Sequence, residues 1–231
     1  MSVHPISPTS VVSRIWDLYK DQFGVLIATA ACLYAVQFVI FLILPGAAAF
    51  ALALLFWALS ILYQGMVVNL VQDVQDGRRD NSIADLLRSV EPVFWPLVAV
   101  SILFGLGVGL GFVLLIIPGL FLMVIWSVVA PVTVLERPGP FHAFGRSRAL
   151  VRGNGWNVFG VIVLVFLAVA VVSVAVGIAT DSFGAVGRSL VQWVVNAALA
   201  PVTALSASVL YFELRQPPAD ALGSAPASSA Y

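Results

Sequence analysis

The chain has 231 residues, of which 61% are hydrophobic and 10% charged, and its mean hydropathy is +1.05. A soluble domain carries about 25% charged residues, so this composition predicts a protein dissolved mostly in lipid. The formal net charge of zero gives no electrostatic argument for nucleic acid binding. The single cysteine, Cys32, excludes an intramolecular disulfide.

The first predicted element is an amphipathic helix over residues 10–22. On a helical wheel Val11, Ile15, Trp16 and Tyr19 share one face, and the charged residues share the other. Such a helix is typical of a segment lying in the plane of the membrane surface. The apolar run that follows is too long for the core of a signal peptide, so we expect it to remain as the first membrane span.

Apolar runs of about 20 residues, the length that crosses a bilayer, predict six transmembrane helices. We place them near residues 23–44, 47–71, 94–116, 119–136, 156–179 and 189–212. A turn is expected at Pro45-Gly46, and another at 116–119, where Pro118 and Gly119 interrupt the apolar run. Pro131 and Pro201 are expected to kink spans four and six, each releasing one backbone carbonyl.

Two further interfacial helices are predicted, over residues 82–91 and 140–152. The chain therefore repeats one pattern three times: an interfacial helix, an aromatic start of a span, and a hairpin of two spans. True internal repetition and a chance likeness among generic hairpins both stay open. The predicted fold is an all-α integral membrane protein over residues 1–215, with a disordered tail over 216–231.

Basic residues predict the orientation of the spans. Ten of the eleven Lys and Arg residues fall in segments on one side of the predicted membrane, and only Arg188 falls on the other. Because basic residues collect on the cytoplasmic side, both termini are expected to be cytoplasmic, in the inner membrane of a cell.

Four candidate lipid-headgroup contacts are Arg88, Arg146, Arg148 and Arg152. Two interpretations apply to these arginines. They are anchors that fix topology, or they bind anionic headgroups, since a guanidinium suits phosphate geometry. Glu136, at the end of the fourth predicted span, is expected to form an ion pair with Arg146 or Arg148.

The third predicted span contains two overlapping GxxxG pairs, and its candidate helix-packing residues are Gly105, Gly107, Gly109 and Gly111. Close helix packing is the main interpretation, and a hinge or pore lining is the alternative.

Polar residues within the predicted spans include Gln37, Gln64 and Asn196. They are expected to join neighbouring helices by hydrogen bonds; lining of a polar cavity is the alternative.

The sequence predicts no enzyme. No charged residue or histidine lies in the middle of a predicted span, where such a group would indicate function. His4 and His142 lack ligand partners at metal-binding spacing, and no nucleophile–base set is visible. We therefore expect no catalytic residues, no metal and no cofactor.

The stretches IIPGLFLMVIWSVVAPVTVLE and AFGRSRALVRGNGWNVFG, over residues 116–136 and 143–160, carry a family pattern. The chain resembles bacterial six-pass membrane proteins named after the membrane domain of some glycerophosphoryl diester phosphodiesterases, and the YciC-like inner-membrane proteins look similar. The resemblance implies a helical membrane bundle without an assigned activity. The hydrolase of the fused forms resides in a separate soluble barrel, for which this chain has no room, so that activity is not expected.

The function expected from the sequence is that of a non-enzymatic inner-membrane protein that interacts with lipid or serves as a membrane partner or scaffold. The alternative is a transporter or permeation pathway for a small amphiphile or lipid-like solute. The expected partners are membrane lipids, anionic ones among them, or another membrane protein, and not nucleic acid.

Overall fold

The computed structural model describes residues 7–43, 49–77 and 83–215. These ranges fold into ten α-helices joined by turns, and no strand occurs among them. The helices are α1 (Pro8–Asp21), α2 (Phe23–Ile43), α3 (Ala49–Gln75), α4 (Ile83–Val90), α5 (Phe94–Leu114), α6 (Ile116–Ile125), α7 (Val129–Leu135), α8 (Pro140–Val151), α9 (Gly155–Ala179) and α10 (Gly184–Arg215). The all-helical class predicted from the sequence is confirmed, while the Pro45-Gly46 turn and the tail lie outside the described residues.

Within the described ranges, five helical segments are long and apolar enough to cross a membrane. They are Leu54–Gln75, Asp85–Leu114, Ile116–Leu135, Gly155–Ala179 and Leu190–Arg215. Helix α2 is also apolar over Phe23–Ala35, the part whose side chains are described. The count of six spans and their arrangement as three hairpins stay predictions.

Helix α1 begins with a side-chain cap. The Ser7 hydroxyl oxygen accepts a hydrogen bond from the backbone N–H of Ser10 at 3.2 Å, and Pro8 occupies the first helical position, where no backbone N–H is needed. Val11 and Ile15 are buried against the rest of the protein, and α1 packs on α9 and α10. Part of the predicted apolar face therefore packs against the protein itself, while Trp16 on the same face is exposed.

The reversal between α5 and α6 takes a single residue. Leu115 is extended, with φ −162° and ψ 149°, and α6 begins at the next residue. Pro118 consequently lies in the first turn of α6, where the missing N–H of proline costs no hydrogen bond. The turn was expected at 116–119, and it occurs one residue earlier, at Leu115 alone. Pro118 does not extend the turn because proline is tolerated in the first turn of a helix.

The segment predicted as one span over 119–136 contains a break between α6 and α7, at Trp126–Val128. Pro131 is the third residue of α7, so it cannot donate to the carbonyl of Ser127, and the helical ladder opens there. The Val129 N–H instead bonds the Trp126 carbonyl at 3.1 Å. The expected kink at Pro131 is therefore a full break a few residues before it. Around Pro201, in contrast, α10 continues as one helix.

The three short helices α1, α4 and α8 lie on the C-terminal parts of α3, α7 and α10, and we call this end of the bundle the basal end. Much of the buried core lies here. The largest fully buried side chains near this end include Val67, Val71, Leu97, Val128, Leu205 and Tyr211. The opposite parts of α5, α6 and α9 expose large apolar side chains, as expected of surfaces that face lipid.

Candidate functional site

The basal end carries a network of charged side chains centred on Glu136, the residue that follows α7. Arg146 of α8 donates from Nε to Glu136 Oε2 at 2.8 Å. The buried Tyr211 of α10 donates its hydroxyl to Glu136 Oε1 at 2.9 Å, and Arg215 Nη1 donates to that hydroxyl oxygen at 3.3 Å. Three segments that are distant in the sequence therefore meet at one carboxylate.

The pKa of Glu136 follows from two opposing effects. Partial burial acts to raise the pKa, but hydrogen bonds from Arg146 and Tyr211 and the charges of Arg146 and Arg215 leave it below its ordinary value. The hydrogen bond to Glu136 raises the pKa of Arg146. Glu136 is therefore ionised at neutral pH and holds Arg146 in a fixed position.

Helix α8 is held in place by a buried stripe at helical spacing, Ala143, Ser147 and Val151. The Ser147 hydroxyl donates to the carbonyl oxygen of Ile125 at 2.9 Å. That carbonyl ends α6, and the break described above leaves it without its helical N–H partner. The Ser147 hydroxyl thus provides a hydrogen-bond donor for the Ile125 carbonyl, which lost its helical donor at the break before Pro131. This bond gives a structural reason for a serine at position 147.

Arg148 lies in α8 next to the buried Ser147, and Arg152 is the residue that follows the helix. Both are exposed, as is Arg88 of α4, and none of the three forms an ion pair with another residue in the described ranges. Phe141 and Trp156, at the starts of α8 and α9, are 77% and 87% exposed. Free guanidinium groups beside exposed aromatic rings are typical of a membrane–water interface. Of the four predicted headgroup contacts, Arg146 alone is engaged with the protein.

The four glycines of α5 fall into two pairs. A Cβ atom on Gly107 would lie 2.5 Å from the Trp126 ring, and one on Gly111 would lie 2.9 Å from the Cα of Gly119. A Cβ atom on Gly105 or Gly109 would meet nothing within 4 Å. Close packing against α6 therefore requires Gly107 and Gly111 only.

A cavity of about 460 Å³ lies among α2, α3, α5, α7 and α10, and we call it the inner cavity. Its walls are mostly aromatic and aliphatic, and the polar side chains in its lining include Ser60, Tyr63, Gln64, Ser101, Ser127 and Thr203. None of its described lining residues is charged. At 1.5 Å per residue, Ser101 and Gln64 lie roughly 10 and 16 Å from the basal ends of their helices, which is within the hydrocarbon depth of a bilayer.

Three of these polar side chains lack partners. The buried Oγ of Ser127 has no hydrogen-bond partner in the part of the chain that the structure describes. Within the same part, Gln64 and Ser101 also make no side-chain hydrogen bond. Gln64 was expected to join two helices by a hydrogen bond, and no such bond occurs in the described residues. It lies in the cavity wall instead, as the alternative prediction stated.

Asn196 bonds Gln192 of its own helix at 3.2 Å, and the Gln37 side chain lies outside the described residues. Two aromatic residues form hydrogen bonds between helices within the bundle. Trp193 Nε1 donates to the Tyr34 carbonyl at 2.6 Å, and the Tyr63 hydroxyl donates to the Leu26 carbonyl at 3.3 Å. The sequence had indicated amide side chains for this role, and no pattern in it singled out Tyr34, Tyr63, Trp193 or Tyr211.

No group of three or more His, Cys, Asp or Glu side chains within the described ranges is placed to hold a metal ion. His142 is exposed at the start of α8. The two polar features of interest are thus the basal arginines and the uncharged inner cavity.

These features define an α-helical membrane protein. One relative supports this class: the chain is 34% identical over 95 residues to a UPF0259 membrane protein of Pectobacterium carotovorum subsp. carotovorum. The match covers 41% of this chain and 38% of the relative. No protein-family model matches the chain, and no solved structure matches it. The comparison supports a membrane protein, and it does not show the link to phosphodiesterases.

Proposed function

We propose that this chain is a non-enzymatic inner-membrane protein that binds anionic lipid headgroups at its basal end, with six spans and both termini in the cytoplasm. The observation that carries the proposal is the pair Arg148 and Arg152, one helical turn apart, exposed and without an acidic partner in the described residues. Exposed Phe141 and Trp156 flank the pair and suit the depth of lipid headgroups.

Within this proposal the four arginines have different roles. Arg146 positions α8 through Glu136, and Arg148 and Arg152 are left to contact phosphate oxygens. Arg88 lies beside the 75% exposed Trp95 in a shallow groove of the basal end and adds a second contact. Each basic residue near an anionic surface contributes about 1 kcal/mol, which corresponds to about a fivefold change in affinity.

The test is native mass spectrometry of the purified protein with phosphatidylglycerol added in steps. Arg148→Gln and Arg152→Gln should each weaken the affinity for phosphatidylglycerol by about fivefold, which lowers the fraction of lipid-bound protein at each step. The matched control is Arg188→Gln, which removes the same charge from a residue paired with Asp181 in the turn before α10. Equal lipid retention in all four proteins would contradict the proposal.

A permeation pathway for a small amphiphile is the second candidate, and the inner cavity favours it. Tightly packed residues, among them Val67, Val71 and Leu205, lie nearer the basal end than the cavity does. Passage would have to separate them, so the structure fits binding better than open conduction. Flux of a fluorescent lysolipid into vesicles containing the protein, absent from vesicles with Gln64→Leu, would favour transport.

A further inference from the structure

The inner cavity has the chemistry of a ligand site that is distinct from the basal arginines. We propose that it binds an uncharged amphiphile, a molecule with a hydroxyl or carbonyl head and an apolar body, taken up from the lipid phase. Three observations support this occupant: the unpartnered polar groups, the uncharged walls and the exposed residues at the rim. The proposal is independent of lipid binding by the arginines.

The unpartnered polar groups call for a hydrogen-bonding partner. Gln64, Ser101 and the buried Oγ of Ser127 lie at hydrocarbon depth, where an unsatisfied polar group costs several kcal/mol and lipid tails offer no hydrogen bonds. Both hydroxyls and the amide can donate to a carbonyl, and all three can also accept from a hydroxyl. A ligand head with either group would satisfy Gln64 and Ser101 directly, and Ser127 after a rotation of its side chain toward the cavity.

The uncharged walls select against ions. Because no described lining residue is charged, a carboxylate or an ammonium group in the cavity would lose its hydration without gaining a counter-charge. Aromatic rings form much of the rest of the wall, including Trp57, Phe104 and Trp126. Trp126 is fixed by Phe144, whose ring centroid lies 4.8 Å away in a T-shaped arrangement. A volume of about 460 Å³ is within the range of small-molecule sites.

The rim of the cavity provides access from the lipid phase. Ser60, Gly105 and Thr203, from three different helices, line the cavity and are exposed. A Cβ atom on Gly105 would meet nothing within 4 Å, so a larger side chain can be placed at this position without displacing the backbone. Gly109, one turn further along α5, has the same open surroundings and does not line the cavity. The two glycines form a matched pair for a test.

The test uses the full chain in phosphatidylcholine nanodiscs with a hexadecanol analogue that carries a diazirine in its chain. After photolysis, mass spectrometry maps the labelled residues. We expect labelling of cavity residues on α3, α5 and the α6–α7 break that unlabelled hexadecanol removes and an equal amount of palmitate does not. Gly105→Phe should reduce this labelling by about fivefold or more, the effect of losing about 1 kcal/mol of binding, while Gly109→Phe should leave it at the wild-type level.

Two variants keep the test decisive if Gly105→Phe folds poorly. Gln64→Leu and Ser127→Ala remove polar groups of the cavity, and each should weaken labelling by about fivefold through the loss of one hydrogen bond. Labelling that is absent from the cavity, equal in all variants, or competed equally by palmitate would overturn the proposal.

Discussion

The contact between Glu136 and Tyr211 gives a quantitative test of the basal network. Glu136→Leu removes the carboxylate that joins α7, α8 and α10, and Tyr211→Phe removes only the hydroxyl that donates to it. If the 2.9 Å hydrogen bond stabilises the fold, the two substitutions together should cost less than the sum of their separate effects. Such a double-mutant cycle isolates the coupling of the pair.

The expected magnitudes follow from burial. The Tyr211 side chain is fully buried, while the side chains of Glu136 and Arg146 are 22% and 44% exposed. A hydrogen bond to a charged group contributes about 1.5–3 kcal/mol, and partial hydration of Glu136 places this one near 1.5. The exposed Arg146 pair adds about 0.5 kcal/mol. Glu136→Leu should therefore cost about 2 kcal/mol and Tyr211→Phe about 1.5, with a coupling of about 1 kcal/mol.

The assay is equilibrium unfolding in mixed micelles, with sodium dodecyl sulfate as the denaturant and circular dichroism as the signal. Arg188→Gln serves as a control for loss of an exposed charge. Additive costs, with a coupling below about 0.3 kcal/mol, would refute the interpretation that Glu136 and Tyr211 act as one unit.

Three further outcomes are expected. The pKa of Glu136 lies below its ordinary value. The ionised carboxylate therefore stabilises the fold fully when the pH is above that ordinary value, and this stabilisation is lost as the pH falls through the folded-state pKa. Unfolding curves of Glu136→Gln should lack this acid-dependent loss. Gly107→Ala should lower the thermal midpoint, at a cost of about 1–3 kcal/mol, because its Cβ would lie 2.5 Å from a tryptophan ring, whereas Gly109→Ala should leave it unchanged or raise it. Ser147→Ala should cost about 1–2 kcal/mol in micelle unfolding, since the Ile125 carbonyl loses its hydroxyl donor; no loss would show that this carbonyl finds another partner.

The features that follow from local pattern were predictable from the sequence. Apolar runs predicted helices close to α2, α5 and α9, and the amphipathic pattern predicted α1, which begins at Pro8 and ends at Asp21. An ion pair of Glu136 with Arg146 or Arg148 was also predicted, and the structure shows the pair with Arg146.

The features that depend on packing between distant segments were not predictable. The position of the α6–α7 break depends on Pro131, but its stability depends on Ser147, twenty-two residues after Ile125. The inner cavity is built by five helices, so no single stretch of sequence identifies it. Likewise, the four glycines of α5 look equivalent in sequence, and only their neighbours separate Gly107 and Gly111 from the other two.

The reversal at Leu115 has a consequence for the lipid around the protein. The tip of the α5–α6 hairpin, 113–117, exposes five apolar side chains. The Leu115 N–H bonds the Gly111 carbonyl at 3.0 Å, but Ile116 and Ile117 open α6 without a side-chain cap, so their N–H groups have no acceptor within the helix. Helix α5 has 21 residues, roughly 30 Å at 1.5 Å per residue, which is enough to bring the tip to the far headgroup region. Because backbone groups without partners are costly in hydrocarbon, we expect the apolar tip to stay at that boundary, so that a thicker bilayer would have to thin around the hairpin.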